Sequence, residues 1–351
     1  MRFVTAGGLR IDYLITHDGR VHTGLVGGNA LYAAVGAAIW DDNVGLWARV
    51  GQNYPRAWLA ELRQHGIETD GLVRVDGDQD HRTFYAYTPG GGRDDTNPAV
   101  HFARIGQPLP PELRDYVHST PGQDEPYRYE PLALRPADWP DSYDRIISEG
   151  YVAVHLSPLA LSTHLHVPAY LRQRAVRQIT VDPGERYMVP GRVDFVRQIL
   201  GQIDAFLPSD QEVYSLLGPK VDLAAAVETL CQWGAPLVVI KNGANGVLVQ
   251  VGAGGDCIHL PAYHRVGDPR VVDVTGAGDA FCGGFMVGLA QKGDPLQAAR
   301  MGLVSASLVI EGYGALYALG RKEEASGRLH EMFAIQAKST TEQEKRLTTT
   351  Y

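Results

Sequence analysis

Cysteine is scarce in this sequence. Among its 351 residues there are three, Cys231, Cys257 and Cys282. They are odd in number, far apart and form no C-x-x-C pair, so neither a disulfide framework nor a structural zinc site is indicated. Free buried thiols in a reducing compartment are expected. Long apolar runs are missing too: none approaches the ~20 residues of a membrane helix. The opening "MRFVTAGGLRID" lacks the charged-then-apolar order of a signal peptide. A cytoplasmic protein without a membrane partner is expected. Basic residues are in deficit, 32 Lys and Arg against 40 Asp and Glu, for a formal net charge of −8. Such a chain lacks the basic face that nucleic-acid phosphates require, although a local site for a single nucleotide stays compatible. No GxxxxGK[ST] loop occurs. "AGGLRID" after the first apolar run does not fit the dinucleotide fingerprint, which argues against a Rossmann-type dehydrogenase.

Apolar residues make up 44% and charged residues 21%, enough for a sizeable core. Strand-like runs ("RFVTAG", "IDYLIT", "VGLWARVG") alternate with helix-like ones ("NALYAAVGAAIW", "PRAWLAELRQHG"). The rhythm breaks at residues 91–142, which are rich in Pro, Gly and charge and read as an irregular surface insertion. It resumes with "YVAVHLS", "QITVD", "DAFLP", "PLVVIK" and "GVLVQV", separated by helical segments, 167–177 among them. Strands alternating with helices predict an α/β fold with a mostly parallel central sheet covered by helices on both faces. After Arg321 the chain is polar and helical, and fraying is expected beyond Ala337.

Residues 273–285, "DVTGAGDAFCGGF", carry the chemistry. A strand-like run ends in Thr275-Gly276-Ala277-Gly278, and a helix begins. Glycines permit the tight turn and close approach of another molecule. The first amides of a helix point outward with partial positive charge behind them, so the turn suits a phosphate. Asp279 would repel that anion unless it serves it. A carboxylate there accepts the proton of a hydroxyl attacking the phosphorus. The competing reading is a plain helix start with a favourable acid and small residues for close packing. These residues alone leave both open.

The stretch resembles the signature of the ribokinase-like (PfkB) carbohydrate kinase family, close to DTxGAGD. The resemblance implies that Asp279 is the catalytic base and that Gly276, Ala277 and Gly278 supply an anion hole. It extends, in order, over about residues 5–315. "GGNALYAAVGAA" is similar to the family's substrate-lining GG motif, which implies Gly27, Gly28, Asn29 and Tyr32 at the acceptor. Tyr32 stands where ribokinase has an asparagine. Asp12 matches an aspartate that binds acceptor hydroxyls. "VDPGER" resembles DPN-x-R. "LPSDQEV" lies where the family has N-x-x-E, which implies that Glu212, and Ser209 through water, help place magnesium. "IKNGANGVLV" resembles the nucleotide loop, with Gly243, Gly246 and Lys241 beside ATP, and Thr275 on the same side. The implied architecture is a kinase domain over 1–320 with a small β lid near 10–25 and 72–90, then a polar tail over 321–351.

Other features have plainer readings. Lys241 is expected to be exposed unless it reaches phosphates. His164 and His166 of "THLH" are expected on a surface loop, with no third metal ligand nearby. "FYAY" at 84–87 reads as a lid strand, a half-buried strand or a surface for a homodimer through the lid. The expected function is Mg2+- and ATP-dependent phosphorylation of a hydroxyl on a sugar-like molecule. The alternatives are a nucleoside kinase, with Tyr32 and the 84–87 aromatics forming a base slot, and a catalytically silent binding or regulatory relative. The intact Asp279 argues against the last.

Overall fold

The structure is a computed structural model that describes residues 2–88, 93–118, 125–127 and 130–333. Thirteen strands are present among them: β1 Arg2–Ala6, β2 Arg10–Ile15, β3 Val21–Gly27, β4 Val44–Val50, β5 Ile67–Arg74, β6 Arg82–Tyr87, β7 Arg93–Asp94, β8 Val152–Leu156, β9 Gln178–Val181, β10 Ala205–Phe206, β11 Leu237–Lys241, β12 Val247–Val251 and β13 Ile258–Leu260. The helices are α1 Asn29–Ala38, α2 Arg56–Gln64, α3 Pro98–Arg104, α4 Asp141–Glu149, α5 Leu161–Gln173, α6 Val193–Leu200, α7 Asp210–Leu217, α8 Leu223–Gln232, α9 Ala277–Lys292 and α10 Pro295–Val309.

Nine strands form the main sheet in the order β13-β12-β11-β10-β9-β8-β1-β4-β5. β5 through β11 run parallel, and β12 and β13 are antiparallel additions at one edge. The near-continuous apolar runs of β1, β8 and β11 are what a sheet buried on both faces requires. Phe3 faces one core, with α1, α2, α9 and α10. Val4 and Ala6 face the other, with α4 to α8. From β1 the chain first builds toward β4 and β5, then returns to β8 on the opposite side. A crevice therefore opens between the C-terminal ends of β1 and β8, the usual ligand position of open α/β sheets.

The second sheet has the order β3-β2-β6-β7. Alternation along its strands splits it into two faces. Tyr13, Ile15, Phe84 and Ala86 point outward into a small core with Phe102 of α3 and Leu113. Asp12, Tyr85 and Tyr87 point toward the crevice.

Three expectations change. The strand over 67–74 pairs with β4 in the main sheet, so the β6 part of the lid begins only at Arg82. The 91–142 segment is not irregular throughout: it supplies β7 and α3, the latter packed on the lid. Past Arg321, a helix over 325–333 buries Ala325 and Met332 in the main core, so this part is no separate tail. Residues beyond Ala337 lie outside the described ones.

Candidate active site

The turn before α9 works because residue 276 is glycine. Its φ is 74°, and a Cβ there would lie 2.1 Å from the Tyr32 ring. Tyr32 is almost fully buried, so it is the floor of the turn. The turn is braced from both sides. Asp273 accepts the Thr275 amide at 3.0 Å, and Thr275 Oγ1 meets the Tyr87 hydroxyl of the lid at 2.8 Å. The Ala277 amide donates to the Val274 carbonyl at 3.2 Å.

Asp279 sits in the first turn of α9, at the foot of the crevice. Burial pushes its carboxyl up to about 7, with the Asp182 charge adding to the rise and Lys241 and Arg93 pulling back. An acid poised near neutrality is what general base catalysis asks for. One turn along the same helix, the buried Cys282 thiol lies 3.6 Å from Lys241 Nζ and 3.5 Å from Asp182.

Lys241 is not exposed. Its side chain is only 12% exposed and ion-paired with Asp182, and a Cβ on Gly278 would stand 3.5 Å from its Nζ. Burial alone would discharge this amine, but the Asp182 carboxylate beside it holds it protonated. A fixed positive charge thus lies under the turn. Ser209 and Glu212 form a reciprocal cap on α7. Glu212 Oε2 accepts the Ser209 amide at 2.7 Å and its hydroxyl at 2.8 Å, while Ser209 Oγ accepts the Glu212 amide at 3.2 Å. Ser209 is bridged to Lys241 across the strand ends. The Glu212 carboxyl is raised by burial and by Asp182. Among the described residues no group of three acids, histidines or cysteines can hold a metal ion directly. Asp182 nevertheless keeps one buried oxygen without a partner, and with Glu212 it offers acceptors to a hydrated cation. Gly243 and Gly246 bracket the turn from β11 to β12 that follows Lys241.

The acceptor end is built around Asp12. It is 3% exposed, and neither carboxylate oxygen has a partner. Burial, reinforced by Asp273, pushes it up to about 7. Gly27 leaves room for this carboxylate, because a Cβ there would fall 1.8 Å from Asp12 Oδ2 and push the side chain aside. Tyr54 also has a buried hydroxyl without a partner. Such orphaned polar groups are costly unless a ligand satisfies them. Asn29 plays another part. Its side chain accepts the Gly8 amide at 2.7 Å and donates to the Pro158 carbonyl at 2.7 Å, holding the two lips of the crevice together.

The fold therefore gathers Asp12, Gly27, Tyr32, Lys241, Glu212 and 275–279 around one crevice. The histidines of "THLH" are elsewhere and not on a loop: they lie in α5, and His164 is fully buried between Tyr187 at 2.5 Å and the Ser157 carbonyl at 3.0 Å. Sequence reasoning passed over Asp182, Asp273, Tyr54 and Arg93. Asp273 opens the quoted motif and Asp182 the quoted "DPG", so both had a signal. Tyr54 and Arg93 had none.

Comparison with known proteins agrees. A model of the pfkB family carbohydrate kinases matches residues 165–320. A Thermococcus kodakarensis protein named cytidine kinase is 28% identical over 89% of this chain and 96% of its own length. An Archaeoglobus fulgidus protein named as an uncharacterized sugar kinase is 26% identical over 76% and 90%. The aminoimidazole riboside kinase of Salmonella enterica, solved with aminoimidazole riboside and an ATP analog, matches 94% of this chain and all of its own at TM-score 0.67 and 18% identity. The ribokinase of Arabidopsis thaliana, solved with ribose and ATP, matches 93% and 98% at TM-score 0.64 and 17% identity. The chain has the ribokinase-like fold, and its residues 165–320 are similar to the pfkB family carbohydrate kinases.

Proposed function

We propose that this kinase moves the γ-phosphate of ATP to a hydroxyl of a sugar or sugar-like small molecule. One juxtaposition carries the reading: Asp279, raised to about 7, stands on the first turn of a glycine-led helix over the Lys241 charge, in the same crevice as an unpartnered Asp12. Asp12 accepts hydrogen bonds from acceptor hydroxyls, as a buried carboxylate does when it reads a polyol. Asp279 takes the proton of the attacking hydroxyl as its oxygen bonds to the γ-phosphorus and ADP leaves with the bridging oxygen. The Gly276 and Gly278 amides, with Lys241 beneath, stabilise the charge developing on the phosphoryl oxygens. Asp182 and Glu212 would hold magnesium through its water shell, and the ion would supply charge neutralisation between the phosphates. The lid excludes water, the competing acceptor. The kinase domain expected over 1–320 then extends through the helix over 325–333, which packs in the main core.

A nucleoside acceptor is the second reading. Tyr85 faces the crevice with the Arg93 guanidinium 5.2 Å from its ring centroid, an arrangement that can flank a base, and a full-length relative is named cytidine kinase.

The test is magnesium-dependent ADP release over a panel of sugars, sugar phosphates and nucleosides, with Asp279→Asn beside the wild type. Turnover with one acceptor class, reduced about 10²–10⁴-fold in Asp279→Asn, is expected. Bound ATP without release for any acceptor would favour the silent-relative reading.

A further inference from the structure

The lid presents a cation to the site. Arg93 lies directly opposite Tyr87 in the β6–β7 pair, and opposed residues of a ladder share one face. That face carries Tyr85 and Tyr87, because Phe84 and Ala86 fill the outer core. Tyr87 is bonded to Thr275 at 2.8 Å, so this face is fastened to the anion turn one residue before Gly276. The Arg93 guanidinium stacks on Tyr85 at 5.2 Å from the ring centroid, and its charge is felt at Asp279. Its nearest carboxylate, Asp95, is 3.7 Å away, and the side chain keeps half of its surface exposed.

The charges around the crevice give this cation a purpose. Asp12, Asp273 and Asp279 are acids, and the Lys241 charge beneath the turn is partly offset by its ion pair with Asp182. A phosphoryl group arriving among them meets repulsion on the acceptor side. A guanidinium with spare donors, carried on the element that closes over the acceptor, offsets that repulsion and fits phosphate oxygens with its planar fork. An anionic acceptor is disfavoured, since the acceptor end holds unpartnered Asp12. We propose that Arg93 is a lid-borne arginine that binds the phosphoryl group in flight, opposite the α9 amides, so that lid closure and phosphoryl transfer are coupled. This rests on the kinase reading above.

The experiment uses full-length Arg93→Met and Arg93→Lys with the acceptor found by the panel. Four quantities are read: kcat, acceptor KM, affinity for a non-hydrolysable ATP analogue, and affinity for ADP with fluoroaluminate and acceptor, which mimics the planar phosphoryl group. Arg93→Met is expected to lower kcat and mimic affinity together, about 10²–10³-fold, with analogue affinity and acceptor KM within about threefold. Arg93→Lys restores only part, because it lacks the fork. A raised acceptor KM at unchanged kcat would make Arg93 an acceptor contact and overturn the proposal. Equal losses for analogue and mimic would make it a ground-state nucleotide contact, and wild-type values throughout would make it a bystander; either result also overturns it. A wild type inactive with every acceptor sinks the kinase reading and this proposal with it, whereas an active wild type with an equally active Arg93→Met sinks the proposal alone. A thermal melt checks folding.

Discussion

Asp12 shows at the scale of one residue how a site is maintained at a cost. Its carboxyl is raised from 3.8 to about 7 in the folded chain, by burial first and by Asp273 second. Between these values the folded protein holds a proton that the unfolded chain has released. Stability therefore falls as pH rises from about 4 to about 7, by up to ~1.4 kcal/mol per pH unit, and stays lower above. Asp12→Asn removes that slope. Its melting temperature should gain on the wild type with rising pH, by several degrees at pH 8 relative to pH 4. Its acceptor KM should rise at least about tenfold for a lost charged hydrogen bond. Melting curves across this range check it. An offset that does not change with pH would mean that Asp12 is not destabilised by its own charge.

Other single residues mark the limit of sequence reading. Asp279 was legible because its neighbours in sequence are its neighbours in space. Lys241 was not: its partner Asp182 lies 59 positions away, and nothing in "VVIKNG" discloses the pair. His164 was misread for the same reason, since a polar tetrapeptide resembles a loop until Tyr187 closes over it. Arg93 was lost among the charges of the insertion, because only the β6 register brings it to the site.

At the scale of elements, α1 and α9 were legible as helices of small residues, but not as partners. Their backbones touch: a Cβ on Gly36 would fall 2.0 Å from the Ala280 carbonyl oxygen, and one on Gly283 would fall 1.8 Å from that of Ala33. Small residues are thus needed for approach, and the packing account of this helix start holds whether or not the proposed chemistry does. The same contact positions the first turn of α9, since Ala280 follows Asp279. Gly36→Ala should cost about 1–3 kcal/mol through overpacking. It should also displace Asp279, lowering kcat by about tenfold or more. Gly327→Ala, where a Cβ meets nothing within 4 Å, is the control and should be neutral in both assays. Wild-type kcat in a destabilised Gly36→Ala would show that the helix contact supports the fold without setting the base.

For the whole molecule, the lid bears on the expected homodimer. One face of the lid sheet looks into the crevice. The other, the face on which a lid-mediated homodimer would rely, is covered by this chain's own α3 and the turn at Leu113. Phe84 is 0% exposed, Phe102 2% and Leu113 2%. The insertion therefore supplies internally the apolar cover that a small sheet needs against water. This outer core is small and separate from the two cores of the main sheet, so it should open by itself. Phe102→Ala should speed amide exchange in β2 and β6 while leaving β1, β8 and β11 protected. It should raise acceptor KM and increase ATP hydrolysis in the absence of acceptor, because a loosened lid admits water. Light scattering should find no dimer that depends on this face, in the wild type or in the variant. A wild-type dimer dissociated by Phe102→Ala would instead mean that α3 leaves the lid to a second copy. Unchanged exchange in β2 and β6 would mean that the lid is held by the Tyr87–Thr275 link and the main sheet, with the insertion only resting on it.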